Sequence, residues 1–130
     1  MTTSAIQRNE FFSQLRLLAN DALHSTRQHG LILLDVDAFR FVNASGGVQA
    51  GDYLIEQLSA CLCEQVKQGH ICGRLGGGCF AILLPNTEYR DVVEMASGLV
   101  ESVSSREFLW QESAFSVSLS AGLTLLLDSD

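Results

Sequence analysis

The stretch GRLGGGCFAILLP, from Gly73 to Pro85, decides the predicted fold. Two short apolar segments, Ile71 to Leu75 and Cys79 to Leu84, are separated only by the glycines Gly76 to Gly78. Two strands joined by so few residues are typical of a β-hairpin, because glycine tolerates the backbone angles of a tight turn. The sequence therefore predicts a hairpin with a glycine tip, followed at once by the thiol of Cys79.

A phosphate-binding loop is the alternative for these glycines, and the sequence excludes it. Such a loop joins a strand to a helix, and Lys followed by Ser or Thr opens that helix. Here the strand-like CFAILLP follows the glycines, and the chain contains no Lys-Ser or Lys-Thr pair. The dinucleotide-binding pattern G-x-G-x-x-G is also absent.

Two helices and a strand are predicted before the hairpin. Apolar residues at helical spacing predict a helix from Ala5 to Gln28. The apolar run LILLDVD, Leu31 to Asp37, predicts a central strand that is buried on both faces. Helical spacing resumes between Leu54 and Val66. The segment between this strand and the second helix is expected to be a loop, with glycines at Gly46, Gly47 and Gly51.

One helix and one strand are predicted after the hairpin. Val92 to Val103 has helical spacing, and Phe115 to Thr124 alternates apolar with small residues, as in a strand with one buried face. The order is therefore a leading helix followed by β-α-β-β-α-β. It predicts an α/β (α+β) fold with a central mixed sheet and helices packed on it. We expect one domain over residues 1–130, since no linker or repeat divides the chain.

Composition narrows the function. The chain has 130 residues, 47% of them hydrophobic, which is enough for one folded domain with a core. Fifteen acidic residues against eight basic ones give a net charge of −7, which disfavours binding to nucleic acid. There is no apolar run of about 18 residues and no signal-peptide pattern. We therefore expect a soluble, cytoplasmic domain without membrane contact.

The cysteines fit the same expectation. Cys61, Cys63, Cys72 and Cys79 lack C-x-x-C spacing, and three of them lie within apolar patterns. We interpret them as reduced thiols of a cytosolic protein, rather than as a metal site or a disulfide framework.

Several polar residues are candidates for a site. Asp35 and Asp37 end the first strand, and we expect their side chains on opposite faces of the sheet, one of them toward the hairpin. An acid at the end of an apolar strand needs a cation or hydrogen-bond donors, although a turn cap is the plainer alternative. Asn43 and Asp52 flank the glycine loop. Either is a candidate turn or cap residue, and Asp52 is well placed as a helix N-cap.

Together these segments resemble the GGDEF family. The run DVDAFRFVNASGGVQAGD, Asp35 to Asp52, is similar to its D-x-D-x-F-K-x-x-N-D-x-x-G-H-x-x-G-D signature. RLGGGCFAILLPNT, Arg74 to Thr87, resembles R-x-G-G-D-E-F-x-x-L-L-P-N-T. QRNEFFSQL, Gln7 to Leu15, and the later SLSAGLTLL resemble the start of its first helix and its S-x-G-x-x strand. Family members are bacterial diguanylate cyclases, which join two GTP molecules into cyclic di-GMP. The resemblance implies a palm-like, ferredoxin-like fold.

The resemblance also gives the glycine tip a meaning. In the family the tip reads Gly-Gly-Asp/Glu-Glu-Phe, and its two acids, with the first strand's Asp, hold Mg²⁺ against the triphosphate. The corresponding residues here are Gly76, Gly77, Gly78, Cys79 and Phe80. Gly78 and Cys79 thus replace the two acids, while Asp35 and the carbonyl of Val36 remain. Since Mg²⁺ prefers hard oxygen ligands, we expect a vestigial hairpin and only weak, nucleotide-dependent metal binding.

The resemblance implies that other nucleotide contacts are partly kept. Asn43 and Asp52 match the residues that read guanine. The backbone amides that would face phosphates are those of Ala38, Phe39 and Arg40. The family's product-inhibition motif R-x-x-D falls on Lys67 to His70, which reads KQGH and has neither the planar guanidinium nor the fixed anion of that motif. The chain is also expected to be truncated before the family's last helix.

The predicted function is therefore a catalytically inactive GGDEF-like regulatory domain of a cyclic di-GMP signalling protein. No cofactor is required, and Mg²⁺ is expected only with bound GTP. The expected partners are GTP, a neighbouring domain of the parent chain such as an EAL phosphodiesterase, and a second copy of the domain. The alternatives are an active diguanylate cyclase with an unusual hairpin and a scaffold with an empty pocket. Redox sensing through Cys79 has little support, because Arg74 alone supplies nearby positive charge.

Overall fold

In the computed structural model, residues 5–37 and 39–126 are described, and for residues 39–46, 48, 113 and 115 the description covers the backbone only. The elements, in chain order, are α1 (Arg8–Leu23), β1 (His29–Val36), α2 (Phe39–Gln65), β2 (Ile71–Gly76), β3 (Cys79–Leu84), α3 (Tyr89–Ser104), β4 (Glu107–Trp110), β5 (Ser113–Ser116) and β6 (Leu119–Leu126).

The main sheet has four strands in the order β2-β3-β1-β6. The predicted α/β fold with helices packed on a sheet is confirmed, but the three strand pairings of this sheet are all antiparallel, where a mixed sheet was expected. The reason is that the helical crossover from β1 to β2 makes these strands parallel without making them neighbours. Strand β3 lies between them and pairs with both.

The larger part of the core lies on one face of this sheet. The buried apolar side chains of β1 are Ile32, Leu34 and Val36, and they pack with apolar residues of α2 and α3. The opposite face of β1 is partly open, since Leu33 is 45% exposed and Asp35 is exposed. The expectation of a strand buried on both faces was therefore wrong. A continuous apolar run shows that a strand is central, and β1 is, but not that both faces are covered.

Helix α1 covers the β2 and β3 side of that second face. Its Phe11 is buried there with Ala81 and Leu83. Before the helix, Ile6 pairs with Gly73 of β2 in a single parallel bridge, in which the N–H of Ile6 donates to the carbonyl of Cys72 at 2.9 Å. Helix α1 is shorter than the predicted range of Ala5 to Gln28. It ends at Leu23, and the carboxylate of Asp21 in its last turn is hydrogen-bonded to the side chains of Arg27 and His29.

Two predictions about the start of α2 were wrong. The expected glycine loop is helical, and only Gly47 has non-helical angles, with φ 82° and ψ 176°. Gly47 divides α2 into two helical segments. Asp52 lies more than a turn inside the second segment, so it is not the predicted N-cap. The mostly small and polar residues between Asn43 and Asp52 show no apolar helical spacing, so the sequence indicated a helix only from Leu54 onward.

The predicted strand from Phe115 to Thr124 is two strands in two sheets. Strand β5 pairs with β4 in a two-stranded sheet, and β6 joins the main sheet. The change occurs at Val117 and Ser118, yet apolar and polar residues alternate through it without a break. Alternation therefore could not locate the boundary. Strand β4 was not predicted; its Phe108 is buried in the core and its Trp110 contacts Tyr53, with ring centroids 5.3 Å apart.

Candidate functional site

The glycine tip forms the predicted hairpin. Strands β2 and β3 pair from Ile71 to Gly76, with Gly77 and Gly78 in the turn between them. Gly76 and Gly77 have φ angles of +137° and +50°, which L-residues with a Cβ rarely adopt. A Cβ built on either would meet nothing within 4 Å, so backbone conformation rather than crowding requires glycine at these two positions.

The tip lies beside the end of β1, as predicted. The N–H of Val36 donates to the carbonyl of Gly78 at 2.9 Å, and Asp35 is the residue directly opposite Cys79 in the sheet. On its other side Asp35 pairs with Ser120 of β6. Residues directly opposite one another share a face, so the Cys79 thiol, the Asp35 carboxylate and the Ser120 hydroxyl form one row across the sheet.

Asp37 lies on the same face as Asp35, which corrects the expectation of opposite faces. Residues two apart in a strand return to the same face, because the side-chain period is two. The hydroxyls of Ser120 and Ser118 donate to Asp37 at 2.6 and 2.7 Å. These hydrogen bonds, Ser120 first, lower the pKa of the Asp37 carboxyl. The hydrogen bonds of Asp37 therefore join the end of β1 to β6. Asp35 is exposed and lies opposite Cys79 of the hairpin.

Cys79 is a half-buried thiol between two opposite charges. Burial raises the pKa of Cys79, the carboxylate of Asp35 raises it further, and the guanidinium of Arg8 partly opposes both. The thiol is therefore protonated at neutral pH. A protonated thiol is a weak hydrogen-bond donor and not a ligand for a hard cation.

Two arginines hold the hairpin through its carbonyl oxygens. Arg74 donates to the carbonyl of Gly77 at 3.3 Å, and Arg8 at the start of α1 donates to the carbonyl of Leu75 at 3.1 Å. The Arg8 guanidinium also lies over the ring of Phe12, 5.2 Å from its centroid. The Arg8 contact joins the hairpin to α1, while the Arg74 contact lies within the hairpin itself.

The residues at the tip fit a Mg²⁺ ion poorly. Asp35 supplies one carboxylate, and the carbonyl of Val36 is the other oxygen that the sequence comparison with the family assigned to the metal. Gly78 has no side chain to offer, and Cys79 offers a protonated thiol. In the described part of the chain, no group of three or more His, Cys, Asp or Glu side chains is placed to hold a metal ion.

Several of the predicted nucleotide-binding residues lie outside the described part of the chain or are described by their backbone only. Ala38 is not among the described residues, and Phe39, Arg40 and Asn43 are described by backbone alone, within the first segment of α2. Asp52 is exposed on the second segment. The bend at Gly47 separates the two segments. The roles of these residues in binding a nucleotide stay predictions.

The KQGH segment forms a turn beside a cavity. The N–H of His70 donates to the carbonyl of Lys67 at 3.0 Å, and Gly69 between them has a φ of +90°. Lys67 and His70 line a cavity of about 410 Å³, together with Asp91 and Glu94 of α3. Burial lowers the pKa of His70, and the nearby Lys67 lowers it further. His70 is therefore neutral where the family motif has a fixed anion.

Sequence reasoning missed three residues that shape this site, namely Arg8, Ser118 and Ser120. Each lies within a segment that resembles the family. Their contacts were not foreseen because each partner is distant in sequence: Arg8 reaches Leu75, and the serines reach Asp37. The signal that pointed to the serines was their placement at alternate positions of a strand.

Comparison with known proteins identifies the family. The family model for the diguanylate cyclase GGDEF domain matches residues 2–130. The chain therefore belongs to the GGDEF diguanylate cyclase family. Among curated proteins, it is 31% identical over 128 residues to the probable diguanylate cyclase DgcE of Escherichia coli K12, covering 98% of this chain. It is 29% identical over 124 residues to the diguanylate cyclase TpbB of Pseudomonas aeruginosa, covering 95% of this chain.

Solved structures agree on the fold. The GGDEF domain of DgcB from Caulobacter crescentus, in complex with c-di-GMP, superposes with a TM-score of 0.91 at 22% identity, over 100% of this chain and 78% of that one. The diguanylate cyclase SiaD of Pseudomonas aeruginosa, in complex with its activator SiaC, gives 0.89 at 27% identity, over 95% of this chain and 48% of that one. The chain spans only 12% of DgcE and 28% of TpbB.

No helix of the described part is long and apolar enough to span a membrane.

Proposed function

We propose that this GGDEF domain does not make cyclic di-GMP, and that it acts as a regulatory domain in cyclic di-GMP signalling. In this proposal it binds GTP weakly and controls a neighbouring domain of its parent chain, such as an EAL phosphodiesterase, or its own dimerisation. The proposed location is the cytoplasm. The observation that carries the proposal is the row at the hairpin tip, where Cys79 and not an acid lies opposite Asp35.

The absence of acids at the tip bears directly on catalysis. Phosphoryl transfer depends mainly on positioning and on neutralising the charge of the phosphates, which in this family Mg²⁺ supplies. One carboxylate at Asp35 does not replace three. A metal that arrives with the nucleotide would still meet Asp35 and the carbonyl of Val36, which supports weak, GTP-dependent binding of Mg²⁺ and no dedicated metal site.

The charge at the tip supports the same conclusion. The pKa of Cys79 is raised, so the thiol adds no negative charge that would attract a cation. The guanidinium of Arg8 lies close enough to affect Cys79. Asp35 therefore lies opposite a neutral thiol that is itself within reach of a cation, and not opposite another acid of a metal cluster.

Gly78 and Cys79 replace metal-binding acids and not the residue proposed to recognise guanine, so weak guanine binding remains part of the proposal. A carboxylate accepts hydrogen bonds from the N1–H and N2–H₂ donors of guanine, and adenine offers no such pair. Asp52 is exposed on α2 and is not used as a helix cap, so its carboxylate is available for this role. A dissociation constant on the order of 0.1–1 mM corresponds to about −5 kcal/mol and is the affinity we expect.

The first experiment measures product formation. The purified protein is incubated with GTP and either Mg²⁺ or Mn²⁺, and the nucleotides are separated by chromatography. We expect no cyclic di-GMP above a blank without protein. The matched variant carries Gly78→Asp and Cys79→Glu together, which restores the two acids. Product from the unmodified protein would refute the proposal and favour the alternative, an active diguanylate cyclase, which the similarity to DgcE and TpbB would then support.

The second experiment tests guanine binding. GTP and ATP are titrated separately against the protein, the Asp52→Ala variant and a Glu56→Ala control. Glu56 is also exposed, one turn further along α2, so both variants remove one exposed carboxylate. We expect a preference for GTP that Asp52→Ala abolishes and Glu56→Ala leaves in place. Equal affinity for both nucleotides, or no binding of GTP at millimolar concentration, would instead identify a scaffold with an empty pocket.

A further inference from the structure

Two buried thiols lie against each other where α2 and β2 meet. Cys63 near the end of α2 is 5% exposed, and Cys72 in β2 is 8% exposed. The two side chains are hydrogen-bonded to each other. No disulfide joins any of the four cysteines, all of which lie in the described part of the chain.

The hydrogen bond makes the two thiols chemically unequal. The bond from Cys72 lowers the pKa of Cys63; burial works against this shift, and the hydroxyl of Ser59 adds to it. The pKa of Cys72 is raised, first by its bond to Cys63 and then by burial. The pair therefore combines one thiol that ionises readily with one that keeps its proton. A thiolate is the form of cysteine that acts as a nucleophile.

A cavity gives reagents a route to this pair. It has a volume of about 340 Å³, and both Cys63 and Cys72 line it. Lys67 and His70 also line it. The ammonium group of Lys67 at this cavity favours the approach of anionic reagents.

We propose that Cys63 and Cys72 form a redox-active dithiol, which closes to a disulfide by reaction with a low-molecular-weight disulfide. The Cys63 thiolate attacks one sulfur of the reagent, forms a mixed disulfide and releases the other half as a thiolate. Once Cys63 is part of the mixed disulfide, its sulfur is no longer an anion beside Cys72. Cys72 then loses its proton to solvent and attacks the Cys63 sulfur, which releases the second half. The protein loses two electrons and the reagent gains them, becoming two thiols once protonated.

The bond would join two elements that lead to the candidate site. Cys72 lies in β2, which ends at Gly76 where the hairpin turn begins, and Cys63 lies in the second segment of α2. A closed disulfide would therefore tie the base of the hairpin to α2. This site is independent of the proposed regulatory function, since it requires neither GTP nor an inactive hairpin.

The test uses oxidised glutathione on the whole native chain near neutral pH. Remaining thiols are alkylated, and unreduced peptides are identified by mass spectrometry. We expect a Cys63–Cys72 disulfide, with two of the four cysteines still alkylated. Cys61→Ser is the matched control, because Cys61 is buried in the same helix but is directed toward Ser102 of α3. This variant should form the same disulfide.

Two further variants test the order of the steps. Cys72→Ser should stop the reaction at a mixed disulfide, so that one glutathionyl group stays on Cys63. Cys63→Ser should leave Cys72 unmodified, because burial still raises the pKa of the Cys72 thiol in this variant. Circular dichroism checks that the variants are folded, and if they are not, the unmodified chain and Cys61→Ser still decide. Four alkylated cysteines in the oxidised wild type, or a disulfide that includes Cys61, would overturn the proposal.

Discussion

The contact between α1 and β2 depends on the absence of a side chain at Gly73. A Cβ built on Gly73 would lie 2.4 Å from Cδ1 of Phe11, 2.8 Å from its Cγ and 2.9 Å from its Cβ. Phe11 is 1% exposed, so its ring has little room to move away. Relief would require α1 to shift from β2, which would strain the hydrogen bonds that Ile6 makes with Cys72 and Arg74. We therefore expect Gly73→Ala to destabilise the domain.

Gly122→Ala is a control in the same row of the sheet. Gly73 pairs with Ala81, Ala81 with Leu33, and Leu33 with Gly122, so both glycines are strand residues on one face. A Cβ at Gly122 would meet nothing within 4 Å. The backbone term of a Gly-to-Ala change in regular structure favours Ala by roughly 0.5–1 kcal/mol and should be similar at both sites. The difference between the two variants therefore isolates the clash.

The short contacts of the added Cβ with Phe11 set the size of the expected loss of stability. Overpacking a well-packed core costs typically about 1–3 kcal/mol, and a contact as short as the one with Cδ1 belongs in the upper half of that range. After subtraction of the backbone gain, Gly73→Ala should lower the free energy of unfolding by about 1–2.5 kcal/mol. For a domain of this size, that is a fall in Tm of about 4–10 °C. Gly122→Ala should leave Tm unchanged or raise it slightly.

Urea unfolding of the two variants measures these free energies, and a double-mutant cycle tests the cause. In the Phe11→Ala background the ring is gone, so Gly73→Ala should cost about 0.5–3 kcal/mol less than in the wild type. Equal stability of Gly73→Ala and Gly122→Ala, or additivity in the cycle, would refute the close packing of α1 on β2. The position of α1 against the hairpin would then need to be revised.

Three other changes have definite expected outcomes. Asp52→Ala should not decrease stability by the roughly 1 kcal/mol of a lost N-cap, because Asp52 lies inside a helix where Ala is the better helix former; urea unfolding checks this. Asp21 binds Arg27 and His29, and these hydrogen bonds, with Arg27 first, hold its pKa well below the usual 3.8. A carboxyl whose pKa is lower in the folded than in the unfolded protein stabilises the fold above its unfolded pKa, and this stabilisation is lost as the pH falls toward its folded pKa. Asp21→Asn should therefore be less stable than the wild type at neutral pH, and the difference between their urea midpoints should shrink below about pH 4. Gly98→Ala in α3 should raise stability by about 0.5–1 kcal/mol, since a Cβ there meets nothing within 4 Å, and thermal unfolding that showed a loss would contradict this.

The elements with strong periodicity could be predicted from sequence. Helix α3 buries Val92, Ala96, Leu99 and Val103, all of which the helical pattern identified. The hairpin was predicted because only three glycines separate two apolar strands, and so short a connection favours a tight turn. In both cases the information is local, since a few neighbouring residues decide the conformation.

Elements that depend on distant contacts could not be predicted in the same way. Strand β4 is too short to show a period, and its position depends on the packing of Phe108 in the core and of Trp110 on Tyr53. The division between β5 and β6 is invisible to alternation, because Val117 continues the pattern while the chain changes sheets. Both are decided by which surface is available to pack against.

For the candidate site, the chemical groups could be identified before the fold was known. The tip carries Gly78 and Cys79, Asp35 ends a strand, and the chain resembles the GGDEF family. How these groups meet depends on the pairing of distant strands. The pairing of β3 with β1 sets Cys79 opposite Asp35. The pairing of β6 with β1 brings Ser118 and Ser120 to Asp37. Strand register is a property of two distant segments together, so neither segment alone contains it.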